Sequence, residues 1–578
     1  MRLSITWFLL GLIFVQYSYA QSIDIENIGK NTKEKLKDKK PFKITGGINA
    51  STIFYTGNTN SGRDPFSYYL NGNVNVSLYG VAVPLSFSFT NSGFSYRYSL
   101  PRSPNRLSIH PKYKWVTAHI GDVAMAFSPY TLNGLLFTGA GAELAPRGKW
   151  RYSAMYGRFQ KAVEYDTSNT SSTAAYKRMG HGFKINYDNG PYKWAVSLFE
   201  AKDVLNSLQV KPDSLQVYPQ QNTAVSMEAA MPVVKNLILS GEYAVSALTS
   251  DIRAPKYADS NRVKWQVKLA GGRTSTNIYK AFKSGLNYTI GSSVIGVGYE
   301  RIDPGYQTLG AYYFNNDLEN ITANFAQSFF KGKVNLAGNV GWQRDDLDKT
   351  KTGGSQRNVM AFNLNYNPGP RFTTSLMYSN FQTYTNVKPQ FQYINQLTPY
   401  DNLDTLNFRQ LSQNANVNMN YVLGKNKEKP QNLNVNFSFQ DSYDMQGGII
   451  SKGNASQFYN FAGAYNRTNM AKAMSLTGAF NVTYNTIGTN DMIQLGPTLA
   501  FNKQLWDKKV RTGASVSYNK TLASSQTQNQ VMTMRMNAAY VYKKKHNIGL
   551  NVAGMMRTMQ GEENRHDVTA TVNYNYNF

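Results

Sequence analysis

The sequence predicts an all-β protein: a transmembrane antiparallel β-barrel with an even strand number, about 22 to 26, around a polar lumen. Three observations predict it. A short apolar leader heads the chain, and no later apolar run approaches the roughly 20 residues a membrane helix needs. Long stretches alternate apolar with uncharged polar residues at period two, down to the last residue, Phe578.

The leader, MRLSITWFLLGLIFVQYSYA, sets one Arg before an apolar run from Ile5 to Val15 and closes on Ser18-Tyr19-Ala20. That pattern predicts a secretory signal peptide over residues 1–20, too short to act as a membrane span. Residues 21–40 then form a basic periplasmic segment, and 41–578 the barrel. The exported chain has no Cys, which rules out disulfides, thiolate metal sites and a lipid-modified Cys. Charged residues make up only 16%, against roughly 25% in soluble domains. Asn, Gln, Ser and Thr carry the polarity instead, as a membrane barrel with a wet interior requires.

The formal charge of +27 raises the question of nucleic acid. Apart from the dense patch Asn27–Lys43, the positive charge is spread over turns and loops, and an exported chain rarely meets nucleic acid. Outer-membrane lipid, lipopolysaccharide and anionic solutes are the expected counterparts.

The strands are clearest from the C-terminus backwards. In DVTATVNYNYNF, Val568, Ala570, Val572, Tyr574, Tyr576 and Phe578 share one face, and Thr571, Asn573, Asn575 and Asn577 the other. Ile548–Met556 precedes it, across the turn 543–547 from the strand of Met532, Met534, Met536, Ala538, Tyr540 and Tyr542. Val510–Tyr518 pairs with Ile493–Phe501, although Pro497 cannot donate to a ladder. The plainest hairpin sets Ala415, Val417, Met419 and Tyr421 against Leu433, Val435, Phe437 and Phe439. Its intervening Asn residues, disfavoured in strands, need a wet surface to face. Similar hairpins bracket the turns at 367–370 and 331–333.

By this pattern about thirteen strands follow residue 318. Short connections fall at 331–333, 367–371, 424–431, 468–473, 507–509 and 543–547; longer ones at 344–356, 382–409, 444–456, 519–530 and 557–566. Bacterial barrels have short periplasmic turns and longer outer loops. A chain ending at the periplasmic face therefore puts every short turn there. Upstream, Phe42–Phe54, Tyr68–Leu78 and Val83–Phe89 make the first three strands, and Asn189-Gly190 marks a hairpin between Phe183 and Leu198. Between His110 and Pro146 the period is lost amid Gly and Pro. A tight turn between strands and a segment folded into the lumen both fit.

No chemistry-bearing constellation emerges, and neither catalytic residues nor cofactors are expected. The five histidines, His110, His119, His181, His546 and His566, lack metal-ligand spacing. There is no GxSxG elbow. Gly139-Ala140-Gly141-Ala142 lacks the Lys and the strand-loop-helix setting of a phosphate loop, and reads as close backbone packing or a bend. Asp303-Pro304-Gly305-Tyr306 is a turn by composition. Lys30, Lys33, Lys35, Lys37, Lys39 and Lys40 form a candidate periplasmic docking segment, with a solvated tether as the simpler reading.

The Tyr/Asn-rich alternating strands, the terminal NYNYNF and the stretch YERIDPGYQTLGAYYFNNDLENITANF together resemble outer-membrane barrels of the Bacteroidota. The resemblance implies architecture along most of the chain and little about activity. It also implies that Tyr574, Tyr576 and Phe578 form a C-terminal β-signal read by the barrel-assembly machinery. The first strand begins too soon after the leader for a plug domain like that of TonB-dependent transporters. Two functions are expected: a porin-like channel for small hydrophilic or anionic solutes, or an accessory, structural subunit of an outer-membrane secretion or assembly complex.

Overall fold

The structure is a computed structural model. It describes residues 42–578 except 59–62, 79–80, 92–104, 166–173, 210–216, 259–264, 313–315, 351–355, 381–382, 387–407, 412, 443–444, 447–448, 451–454, 489 and 525. The leader and the lysines from Lys30 to Lys40 lie outside the described residues.

Period-two alternation becomes strand after strand. The first group is β1 (Phe42–Gly57), β2 (Phe66–Leu78), β3 (Val81–Thr90), a broken β4 (Arg106–Ile109 and Lys112–Tyr113), β5 (Val116–Ala126), β6 (Asn133–Leu144) and β7 (Trp150–Gln160). Next come β8 (Arg178–Asn189), β9 (Tyr192–Asp203), β10 (Gln221–Val234), β11 (Leu237–Thr249), β12 (Thr276–Ile290) and β13 (Ser293–Ile302). The second half holds β14 (Leu318–Phe329), β15 (Val334–Arg344), β16 (Gln356–Gly369), β17 (Phe372–Ser379), β18 (Gln413–Leu423), β19 (Gln431–Ser442) and β20 (Ser456–Asn469). It ends with β21 (Met474–Ile487), β22 (Asn490–Leu505), β23 (Val510–Ala523), β24 (Gln526–Tyr542), β25 (His546–Met559) and β26 (Arg565–Asn577).

Each strand pairs antiparallel with its neighbours in sequence, and β26 pairs with β1 from Gly47↔Asn577 to Gly57↔Asp567, closing a 26-strand barrel. Closure leaves no open sheet edge, so each strand's backbone groups find partners on both sides. The last residue completes the seam: Phe578 N–H donates to Gly46 O at 3.1 Å, and Gly46 N–H to Phe578 O at 3.2 Å. Side chains reinforce it, with Asn49 bonded to Asn575 and Tyr55 Oη donating to Asp567 at 2.5 Å.

The two faces invert the pattern of a soluble sheet. On β26, Val568, Val572 and Tyr574 are 45%, 39% and 38% exposed, whereas Thr569 and Thr571 are 6% and 3% exposed. The outward face is apolar and bare; the inward face is polar and covered. β18 and β19 show the same division, with Asn418 opposite Asn436 and Asn420 opposite Asn434 inside, and Tyr421 opposite Leu433 outside. An uncovered apolar outer surface is stable only against hydrocarbon, and a closed barrel is one of two structures that satisfy the backbone there. The chain is therefore an integral outer-membrane β-barrel.

Both chain ends of the barrel lie at one rim, the terminal rim. Connections there are short: 114–115, 190–191, 235–236, 291–292, 370–371 and 543–545 are examples. Outward aromatics collect just inside it, as in Trp150 and Trp194 (ring centroids 4.9 Å apart), Tyr366 and Phe372 (6.0 Å), and Phe372 and Tyr421 (6.3 Å). This is the interfacial girdle of membrane barrels.

Thirteen strands, β14 to β26, start at or after residue 318, as the sequence predicts. Two expected long links are shorter: within 557–566 only 560–564 separate β25 from β26, and 519–530 departs further. Residues 519–530 are almost wholly strand: β23 runs to Ala523 and β24 resumes at Gln526. The tip of this hairpin, Asn519 to Gln530, is polar at most positions of both faces, so its sequence resembles a loop. Pro497 does leave its mark. The ladder between β22 and β23 is interrupted opposite it, between the pairs Leu495↔Lys520 and Thr498↔Ser517.

Candidate functional site

The candidate site is the inner wall and what folds onto it. Around β15 to β26 and β1 to β3 the inward positions are mostly small or uncharged: Asn339, Asn436, Asn460, Thr483, Ser517 and Thr571 are typical. Around β5 to β14 the wall carries both an apolar core and charges.

That core resolves the ambiguous stretch 110–146 in favour of both readings. Residues 116–126 and 133–144 are strands, while the intervening 127–132 turns inward onto the wall. Leu132 and Phe199 are fully buried, packed with Phe127, Phe137, Phe159 and Leu309. Glycines on the wall make room for the rings. A Cβ on Gly180 would lie 2.6 Å from the Phe159 ring, and one on Gly182 would lie 2.6 Å from the Phe127 ring. In the Gly139–Ala142 run, now part of β6, a Cβ on Gly139 would sit 2.2 Å from Tyr156 O, so that run holds close backbone packing.

A second connection folds onto the first. Residues 303–312, which follow β13 and include the Asp-Pro-Gly-Tyr turn, lie against 128–133 and the wall. Tyr306 Oη donates to Tyr130 O at 2.7 Å, Thr308 Oγ1 to Thr131 O at 2.7 Å, and Asn133 N–H to Gly310 O at 2.9 Å. The wall grips this segment through Ser246 Oγ, which donates to Gln307 O at 2.6 Å, and through Asn222. Asn222 Oδ1 accepts from Leu309 N–H at 3.1 Å, while its Nδ2 donates to Ser246 Oγ at 2.7 Å. Gly310 fits because a Cβ there would lie 2.5 Å from Thr131 O.

Charged wall residues hold the underside of 127–132. Lys184 Nζ donates to Phe127 O and pairs with Glu228 at 2.8 Å. Ser128 Oγ donates to Glu242, and Tyr130 Oη donates to Glu300 at 2.6 Å. Burial first, then the Glu300 carboxylate, hold the Tyr130 phenol well above its ordinary range; burial and Glu242 do the same for Tyr306. Both phenols stay neutral donors at physiological pH. Below the loops opens a cavity of about 800 Å³ lined by Arg151, Lys193, Glu228, Glu242, Lys283 and Glu300, among others. Opposite charges share this wall, and four of them form two pairs: Lys184 with Glu228, and Lys193 with Asp188 at 3.5 Å.

The sequence-predicted residues fall elsewhere. Tyr574, Tyr576 and Phe578 sit at the terminal rim on the outward face, with Tyr574 Oη 2.8 Å from His546 Nδ1 and the Tyr576 and Phe578 rings 5.3 Å apart. The structure also brings together His110 and His119, Nδ1 to Nδ1 at 2.8 Å, across the bend between β4 and β5. Sequence spacing alone missed that pair. Glu143 lies 3.8 Å from His119, but among the described residues no group of three or more His, Cys, Asp or Glu converges as metal ligands would. Nor did sequence reasoning find Asn222, Glu242 or Glu300, whose only signal is a polar residue at an inward strand position.

No protein-family model matches the sequence, and no curated protein matches it. Among solved structures, the chain is similar to the P pilus usher (PapC) translocation pore at 10% identity and a TM-score of 0.35, over 93% of this chain and 99% of the usher. It is similar to the FrpB iron transporter from Neisseria meningitidis at 10% identity and 0.34, over 94% and 84%. An anion-selective porin from Comamonas acidovorans matches at 12% identity and 0.28, over 53% and 89%. The barrel assignment rests on the strand pairing described above, not on these distant likenesses.

Proposed function

We propose that the chain is a wide channel for small hydrophilic solutes, narrowed along one wall by residues 127–132 and 303–312. The observation that supports the reading best is the inward docking of these two connections. They bury an apolar core inside the barrel and leave charged and amide groups facing the remaining space. Barrels of 16 to 18 strands already enclose an aqueous channel, and a larger strand number widens it. Because the charges beneath the loops are mixed in sign and partly paired, the reading favours solute size over ionic charge, with at most a weak preference for anions. It also places the terminal rim, with its short turns, in the periplasm, together with the docking segment Lys30–Lys40.

The test is conductance of the purified chain in planar bilayers. Large, long-lived openings with a reversal potential near zero in a salt gradient support the channel. Silent bilayers, with stable co-purification of large partner proteins, would favour the accessory-subunit reading and overturn this one.

A further inference from the structure

The terminal rim carries a feature that passage through the lumen does not use. Of its described turns, only 190–191 and 291–292 lack a Lys or Arg; the other turns run from Lys114 round to Lys543-Lys544-Lys545. The only acids in these turns are Glu428 and Asp507. Among the described residues, no ion pair to a carboxylate engages Lys331, Lys333, Lys508, Lys509, Lys544 or Lys545. The opposite rim is mixed, with Asp251 clamped by Arg253 at 3.0 Å and Asp345, Asp346 and Asp348 beside Lys349.

Turn geometry does not account for the lysines. Lys114, Lys331, Lys508, Lys543 and Lys544 have φ of 52°, 56°, 68°, 49° and 59°, the left-handed region that Gly or Asn enters most easily. Lysine there is conformationally costly, so its charge needs a use. Among the described residues, the two most exposed aromatics lie in the same turns. Phe330, next to Lys331, and Trp506, two residues before Lys508, are each 73% exposed, and Trp115, after Lys114, is 47% exposed. An amphipathic ring beside an ammonium group suits the membrane–water boundary, where the ring sits at headgroup depth and the charge meets phosphate.

The geometry points to a binding ring for anionic phospholipid headgroups at the terminal rim. The charge follows the circumference outside the aromatic girdle instead of gathering in one patch. A lipid annulus matches that distribution; an acidic protein partner would need a localised face. Headgroup binding at the rim does not depend on whether the lumen conducts, so its failure would leave the channel reading standing, and the reverse.

The experiment is native mass spectrometry of the purified full chain with phosphatidylglycerol, phosphatidylcholine or lipopolysaccharide, repeated with the variant K508Q/K509Q/K543Q/K544Q/K545Q. Wild type should retain phosphatidylglycerol in preference to both. A lysine near an anionic surface contributes about fivefold in lipid partitioning, from about 1 kcal/mol each, so the variant should lose at least about tenfold of the preference. Equal preference in the variant, no preference in wild type, or stronger retention of lipopolysaccharide would each overturn the proposal. If the variant does not fold, a salt titration of wild type decides the matter. The preference must fall as salt rises to about 0.5 M, where surface charge is screened, and a salt-independent preference would also overturn it.

Discussion

Replacing Asn222 by Ala tests whether the in-folded segment 303–312 is held by its hydrogen bonds to the wall. Asn222 is fully buried, and its Oδ1 is the acceptor for Leu309 N–H at 3.1 Å. Alanine leaves that N–H buried and unpaired while the segment is docked, but free to meet water once it lifts. A buried donor without its partner costs about 1–3 kcal/mol, which raises the lifted population about 5- to 150-fold. The loss of Nδ2 bonds to Ser246 and Ala247 falls within the wall and bears on the barrel instead of the docking. The assay is single-channel recording, with limited proteolysis as a second readout. Asn222→Ala should show more frequent high-conductance openings and faster cleavage within 303–312, with the barrel still intact as a heat-modifiable band in gels. Thr308→Val removes the bond to Thr131 O and should act in the same direction. Met227→Leu, on the outward face of the same strand as Asn222, should change neither. If Asn222→Ala matched wild type in both conductance and protease resistance, the bond from Leu309 N–H to Asn222 would not be what holds the segment against the wall.

Three further outcomes follow from the same geometry. Val572→Arg, on the outward face of β26, should destabilise the barrel in bilayers by about 2–4 kcal/mol, as measured by urea-driven unfolding, whereas Asn339→Arg, at an exposed inward position of β15, should cost less. Gly180→Leu should reduce yield of the folded heat-modifiable form severely, because its Cβ would lie 2.6 Å from the Phe159 ring and 2.9 Å from Glu200 O. For pH, the Tyr130 and Tyr306 phenols are raised above their ordinary value near 10, so the docked state favours their protonated forms. Their contribution is fully present below about pH 10 and is lost only on further rise through the folded values. Conductance should therefore be flat from neutral pH to about pH 9 as far as these phenols govern it, and a marked step in that range that Tyr130→Phe or Tyr306→Phe abolished would contradict this.

Much of the barrel was legible because strand alternation is local. Each Asn between two apolar residues, as in Asn416, Asn418 and Asn420, states its face without reference to any other part of the chain, and the polar face can only point to water. Turn chemistry is equally local, so the hairpins at 331–333 and 543–547 could be placed with their sidedness relative to Phe578. The tip of the hairpin of β23 and β24 was not legible, since its residues are polar on both faces and look like a loop. The stretch 110–146 was only half legible: its glycines signal close packing, but the rings that fill the space come from Phe127, Phe137 and Phe159, whose positions depend on the register of several strands.

By itself, then, the sequence determined the fold class and the two faces of most strands, because each follows from neighbours a few residues apart; the even strand number came with the barrel class, and only the closure of β26 on β1 set the count at 26. Only the tertiary structure decided what narrows the lumen. Tyr306 reaches Tyr130, and Asn222 reaches Leu309, across long separations in the chain. No period or turn signal encodes such contacts; they exist once the barrel has closed and brought the two connections over the same stretch of wall.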